Sequence, residues 1–158
     1  MANEASKVLK LMKDNNCDML DIKFTDLPGT WQHVSAPISE VVDSLFVDGT
    51  GFDGSSIRGF QTIDESDMLL VPDASTAKVD PFFKGQVTII ADIRDPLTGE
   101  DYTRDPRNIA KKAEAYLKTT GVGDGSFWGP EVEFFVFDSV QFSYGANHGF
   151  HHIDSDEG

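Results

Sequence analysis

MLDIKFTDLPGTWQHV, residues 19–34, reads as two strands joined by a tight turn. Leu20, Ile22 and Phe24 alternate with Asp21, Lys23 and Thr25, the period-two pattern of a strand with one buried face. Asp26-Leu27-Pro28-Gly29 is turn chemistry, and residues 30–34 return as the hairpin partner. Upstream, Asn3 or Ser6 can cap a helix that runs to about Asn16, with Val8, Leu11 and Met12 on one face. Downstream, Ser35 and Pro37 open a short helix whose apolar side is Ile38, Val41, Val42 and Leu45. A glycine-rich loop, GTGFDGSSIRGF, spans residues 49–60, and strands follow at 68–71 and 87–93. A hairpin, a helix and further strands packed on it outline an α+β roll.

A second helix runs over residues 105–120, with Asp105 as N-cap, Pro106 in the first turn and Gly121 as the stop. Ile109, Ala113, Tyr116 and Leu117 form its expected buried stripe, with Lys111, Lys112 and Lys118 solvated. It separates the first domain from the run SFWGPEVEFFVFD, residues 126–138, which reads as buried strand. Beyond that run, GANHGFHHIDSDEG turns irregular, and an acidic end without helix or cap suggests that the chain stops within a larger unit.

The 158 residues suffice for one ordinary domain, or a small domain and part of another. With 39% hydrophobic residues and 12 Phe there is material for a core. A net charge of −14 argues against nucleic acid, whose phosphates require Lys and Arg, and against an anionic membrane surface. No apolar run is long enough to span a bilayer, and no signal-peptide core opens the chain. One cysteine, Cys17, cannot form an internal disulfide, so a reducing cytoplasm is the expected setting.

Glu131 and Glu133 are two residues apart in the predicted strand, which puts both on one face about 6.5–7 Å apart. Burying two like charges is costly unless a cation neutralises them, and hard oxygen donors suit Mg²⁺ or Mn²⁺. The alternative is a sheet face open to water, although Phe135 and Phe137 continue that face. In the glycine-rich loop, Asp53 would repel an anion. A carboxylate backed by Ser55 and Ser56 suits binding a cation or accepting a proton, or it simply caps a bend. His148, His151, His152 and Asp154 fit no standard zinc spacing and read better as a polar surface hairpin; His33 is assigned no chemistry.

GFDGSSIRGF (51–60), IDESDMLLVPD (63–73), YTRDPRNIA (102–110) and GPEVEFFVFD (129–138) together closely resemble the bacterial type I glutamine synthetase family. The resemblance covers essentially the whole chain, and HHIDSDEG is similar to the family's next motif, cut short. It implies a β-grasp domain over residues 1–104 and the start of a catalytic α/β domain over 105–158. It further implies ATP-dependent ligation of ammonia to the side-chain carboxylate of glutamate through a γ-glutamyl phosphate, with two Mg²⁺ or Mn²⁺ ions per site. By motif, Glu131 would hold the ion nearer the ATP phosphates and Glu133 the ion nearer glutamate, while Asp53 and Ser56 would serve ammonium. The loop would reach into a neighbouring subunit within stacked hexameric rings, a dodecamer. Many relatives carry Gly-Trp-Lys where this chain has Gly59, Phe60 and Gln61. Family members are about three times longer, which puts most of the nucleotide site and the remaining ligands downstream of Gly158. The chain alone is therefore expected to be inactive. The competing expectation is a non-catalytic β-grasp module that supports assembly.

Overall fold

The first amphipathic stretch forms helix α1 (Glu4–Asp14), which buries Ala5, Val8 and Met12. The computed structural model of the chain describes residues 4–157. Asn3, one of the two expected caps, lies outside them, and Ser6 falls within the helix. Gly158, the residue beyond which most of the nucleotide site is expected, also lies outside the described residues. The alternating segment is strand β1 (Met19–Thr25), paired antiparallel with β2 (Trp31–Pro37) so that Ile22 faces Val34 across the hairpin. Asp26 closes the turn: its Oδ1 accepts from Thr30 N at 2.7 Å and its Oδ2 from Gln32 Nε2 at 3.0 Å.

The expected helix after Pro37 breaks in two, a 3₁₀ turn at Ile38–Glu40 and a short α2 (Asp43–Val47). Val41 and Leu45 are buried as expected, but Val42 is half exposed because it caps α2 in an extended conformation. Strand β3 (Thr50–Asp53), long β4 (Asp67–Val79) and β5 (Gln86–Arg94) complete a five-stranded sheet in the order β2-β1-β5-β4-β3. All pairs are antiparallel except β1 with β5, which run parallel at the centre. The α+β β-grasp expectation is met.

Leu20, Ile22 and Phe24 of β1 and Val87, Ile89, Ala91 and Ile93 of β5 form the core with Val8, Met12, Val41, Leu45, Met68 and Leu70. Full burial of such side chains stabilises by about 1.5–3 kcal/mol each. The opposite face of β1 is polar yet covered. Buried Asp21 accepts from His33 Nδ1 at 2.6 Å and Ser35 Oγ at 3.0 Å, and Lys23 bridges Asp21 and Asp80. Asp80 also accepts from Thr88 and from the amides of Phe82 and Phe83, which hold its carboxyl down to about 2.

Gly49 sits between α2 and β3 with φ +81°, and a Cβ there would lie 2.6 Å from the Leu70 carbonyl oxygen. Gly49→Ala therefore meets a left-handed backbone and a fixed carbonyl together. The backbone conformation alone costs about 1–3 kcal/mol. A urea midpoint clearly below that of the parent chain is the expected result, and an unchanged midpoint would contradict it.

Helix α3 (Pro106–Thr120) begins as the sequence predicts: Asp105 accepts from Arg107 N, Pro106 opens the first turn, and Gly121 ends the helix at φ +70°. Buried Asp105 also accepts from Ile93 N, and burial pushes its carboxyl up. Arg107 hydrogen-bonds Asp73 and forms an ion pair with Asp92, and Lys111 hydrogen-bonds Asp92, so the first turns hold α3 to the sheet. The expected buried stripe is not observed. Ile109, Ala113 and Tyr116 are exposed and Leu117 is only partly covered, whereas Asn108 is buried. Beyond its first turns, α3 has no facing layer among the described residues.

The described residues divide between Gly125 and Ser126 into two compact units. In the second, β6 (Ser139–Gly145) and β7 (His148–Asp154) pair antiparallel as a hairpin, with Phe142 opposite His151 and Gln141 opposite His152. The tail is thus the polar hairpin that the histidines suggested, and not irregular. The predicted buried strand over 126–138 is corrected in turn. Residues 126–137 belong to no strand, and Trp128, Val132, Phe134 and Phe135 are all exposed. No strand partners this run among the described residues, so its backbone has no ladder and its aromatic rings no opposing surface.

Candidate functional site

Asp53 ends β3, where pairing with Asp67 of β4 fixes its backbone. The next residues coil into a single 3₁₀ turn, Gly54–Ser56, capped by the Asp53 side chain. Its Oδ1 accepts from Ser55 N at 2.8 Å and Ser55 Oγ at 2.6 Å, and its Oδ2 from Ser56 Oγ at 2.9 Å. Asp53 and Ser56 are nonetheless exposed. The Ser55 and Ser56 hydroxyls hold the Asp53 carboxyl below the usual carboxylate range. It is therefore ionised at neutral pH, a carboxylate free to hold a cation or to take a proton from one.

Gly54 anchors the start of the loop. Its N–H donates to Ser66 O at 2.7 Å, and a Cβ would lie 2.6 Å from Met68 Sδ. At the far end the Phe60 ring is buried, 6.3 Å from Phe24 and 5.3 Å from Tyr102, centroid to centroid. The aromatic at position 60 thus packs as a core side chain, and nothing in that environment asks for an indole N–H. A cleft of about 490 Å³ beside the loop is lined by Asp64, Glu65, Asp67 and Asp95 among others, with no Lys or Arg. That lining offers a bare phosphate no cationic side chain.

Glu131 and Glu133 lie in the second unit, in the unpaired run before β6, and both are exposed. Among the described residues neither has a hydrogen bond or an ion pair. Two residues further on, Phe135 and Phe137 stack with centroids 6.1 Å apart and planes 11° apart, as side chains at i and i+2 of an extended run can. Unpaired carboxylates offer donor chemistry that fits Mg²⁺ or Mn²⁺, but two of them leave most of an octahedral shell to other ligands. No cluster of three or more candidate metal-binding side chains exists among the described residues. His148 is instead within 3.1 Å of Ser143 Oγ in its own hairpin, and His33 is taken up by Asp21.

A β-grasp sheet presenting an ionised carboxylate on a glycine-rich loop, followed by a glutamate pair, defines an architecture that can be compared with known proteins. The β-grasp domain of glutamine synthetase matches residues 16–96, and the catalytic domain of glutamine synthetase matches residues 103–158. The chain belongs to the glutamine synthetase family. Glutamine synthetase of Bradyrhizobium diazoefficiens is 54% identical over 155 residues, covering 97% of this chain and 33% of the relative. That of Mycolicibacterium smegmatis is 50% identical over 160 residues, covering 100% and 34%. The cryo-electron microscopy structure of Plasmodium falciparum glutamine synthetase superimposes with a TM-score of 0.74 at 25% identity, over 98% of this chain and 30% of that one. The chain thus spans about a third of the length of the curated relatives it matches.

Proposed function

We propose that this chain forms the N-terminal part of an ATP-dependent glutamate–ammonia ligase. The observation that carries the reading is the exposed, ionised Asp53 on its short serine-backed turn, in a chain matched in order by both domains of the family. We assign residues 1–104 to the β-grasp domain and residues 105–158 to the start of the catalytic domain. Most of the nucleotide site is assigned to the part of the family's catalytic domain that follows Gly158. In the reaction the γ-phosphoryl group of ATP moves to a side-chain carboxylate oxygen of glutamate and ADP departs. The nitrogen of ammonia then attacks the acyl carbon, and inorganic phosphate leaves as the new C–N bond forms.

Asp53 and Ser56 bind ammonium, and the proton it sheds before attack passes to the Asp53 carboxylate. Glu131 and Glu133 would hold divalent ions, Mg²⁺ or Mn²⁺, which when bound neutralise the crowded charge of phosphates and carboxylate. The enzyme acts in the cytoplasm as a homo-oligomer of stacked hexameric rings. Among the described residues no helix is long and apolar enough to cross a membrane.

The purified 158-residue chain is expected to make no glutamine. It offers two carboxylates for metal, and the cleft beside its loop has no Lys or Arg to hold a phosphate. A coupled assay with Mg²⁺, ATP, glutamate and ammonium tests this, and ATP-dependent glutamine formation above background would overturn it. The second reading, a β-grasp module that only supports assembly, draws on the absence of strand pairing for residues 126–137 among the described residues. It predicts that the equivalent of Asp53 is dispensable in the full-length enzyme.

A further inference from the structure

The loop that carries Asp53 and Ser56 is held at its far end from outside the β-grasp sheet. The Phe60 carbonyl accepts two hydrogen bonds, from Tyr102 Oη at 2.9 Å and from an Arg104 terminal nitrogen at 2.7 Å. The same Arg104 nitrogen reaches the Gly59 carbonyl at 3.2 Å. Both donors lie in the short connection between β5 and α3. Tyr102 is itself fixed: its N–H donates to Ile93 O at 2.8 Å, and its carbonyl accepts from Asn108 Nδ2 at 2.8 Å. Its ring packs edge-on against the Phe60 ring. Gly59, at φ +83° and crowded by Leu27, turns the chain so that the two carbonyls point at these donors.

Arg104 is exposed, in a chain with 27 acidic and 13 basic residues. A surface guanidinium there has many carboxylates to choose from, yet this one is spent on two backbone carbonyls of one loop. Charge-assisted bonds of this kind are stronger than neutral ones and directional. Burial pushes the Tyr102 phenol up, so it remains a donor across the neutral range.

We infer that Tyr102 and Arg104 are positioning residues, which clamp the Phe60 end of the loop and thereby set where Asp53 and Ser56 stand. The inference rests on the reading of Asp53 as the ammonium carboxylate. Only the turn Gly54–Ser56 and residues 57–60 connect Asp53 to the clamp. Three internal bonds, Ile57 N to Gly54 O, Phe60 N to Ile57 O and Gln61 N to Gly54 O, transmit its position back to Gly54.

Two variants test this without threatening the fold: Tyr102→Phe, which removes only the hydroxyl, and Arg104→Ala at an exposed position. In the 158-residue chain, amide hydrogen exchange at Ile57, Phe60 and Gln61 is expected to quicken roughly threefold to tenfold, the range for losing a hydrogen bond or two. Amides of β1 and β5 should be unchanged, as should the whole map in Lys111→Ala. Unaltered loop exchange in both variants would overturn the inference alone. In a full-length synthetase carrying this N-terminal region, the same variants should raise KM for ammonium by about tenfold or more with KM for ATP little moved, since a misplacement near 1 Å can cost up to 10²-fold. Arg104→Lys, which keeps a cationic donor group without the planar guanidinium, should recover part of the loss. Looser exchange with normal ammonium kinetics would overturn the inference if Asp53→Ala impairs ammonium use. If Asp53→Ala is equally harmless, the reading of the site falls and takes the inference with it.

Discussion

Asp53→Ala, placed in a full-length synthetase built on this N-terminal region, is expected to cut turnover about 10²–10⁴-fold, the usual worth of a positioned acid–base or charge-binding group. ATP affinity should hardly change, because Asp53 is read as acting on the ammonia step and not on the nucleotide. The fold should survive, since Asp53 is exposed and the amide and hydroxyls it releases can turn to water. Asp53→Asn separates the two roles of the carboxylate. It keeps an oxygen for Ser55 N but removes the charge, so a loss as deep as that of alanine identifies the charge as what matters. Steady-state rates at limiting and saturating ammonium, with ATP binding measured separately, make the comparison. Near-normal turnover of the alanine variant at limiting ammonium would reduce Asp53 to a cap for its own turn.

The glutamate pair is expected to reveal itself through heat denaturation. A metal that binds only the folded state raises the midpoint by mass action, so Mn²⁺ or Mg²⁺ should stabilise the parent protein. Glu131→Gln and Glu133→Gln should each gain less, having kept shape while losing one charge. Without metal, neither substitution should destabilise, because both side chains are exposed and neither has a hydrogen bond or ion pair among the described residues. The full-length enzyme is the better host, since two carboxylates cannot complete a coordination shell. Equal metal-induced shifts in parent and both variants would return the pair to ordinary surface glutamates.

The parts of the fold that were legible in the sequence are those governed by local rules. Leu20, Ile22 and Phe24 alternate with polar residues because β1 has one apolar face, and Asp105, Pro106 and Gly121 mark the ends of α3 by cap chemistry that needs no distant partner. β3 was hidden because its four residues include Gly51 and follow Gly49, which read as loop; only the register with β4 makes it a strand. The second half of β4 was hidden by the run of small and polar residues Ala74–Lys78, where a shift in register between Asp73 and Lys78 breaks the alternation. Tyr116 and the run at 126–137 show the reverse error. Their apolar patterns announce burial, yet burial needs a second surface, and none of the described residues supplies it. At the site, the Asp53 turn was foreshadowed by the Asp-Gly-Ser-Ser string, whereas the clamp from Tyr102 and Arg104 joins residues far apart in sequence and left no local sign.

The parallel pairing of β1 with β5 has a consequence for how this polypeptide comes to be folded. Residues 19–23 lie beside residues 86–90 at the middle of the sheet, so the first strand of this sheet waits for its last. The β1–β2 hairpin can close early, but an isolated hairpin is marginal in water, and the inner edge of β1 has no partner until β5 arrives. Closing so long a loop before any central contact forms is entropically slow, which places the unit among late-condensing, high-contact-order folds. On a ribosome, the sheet can assemble only after Arg94 has cleared the exit tunnel. Premature termination anywhere in β4 or the turn after it would release a chain in which β1 lacks its central partner, a substrate for chaperones and proteases and not a smaller version of the domain.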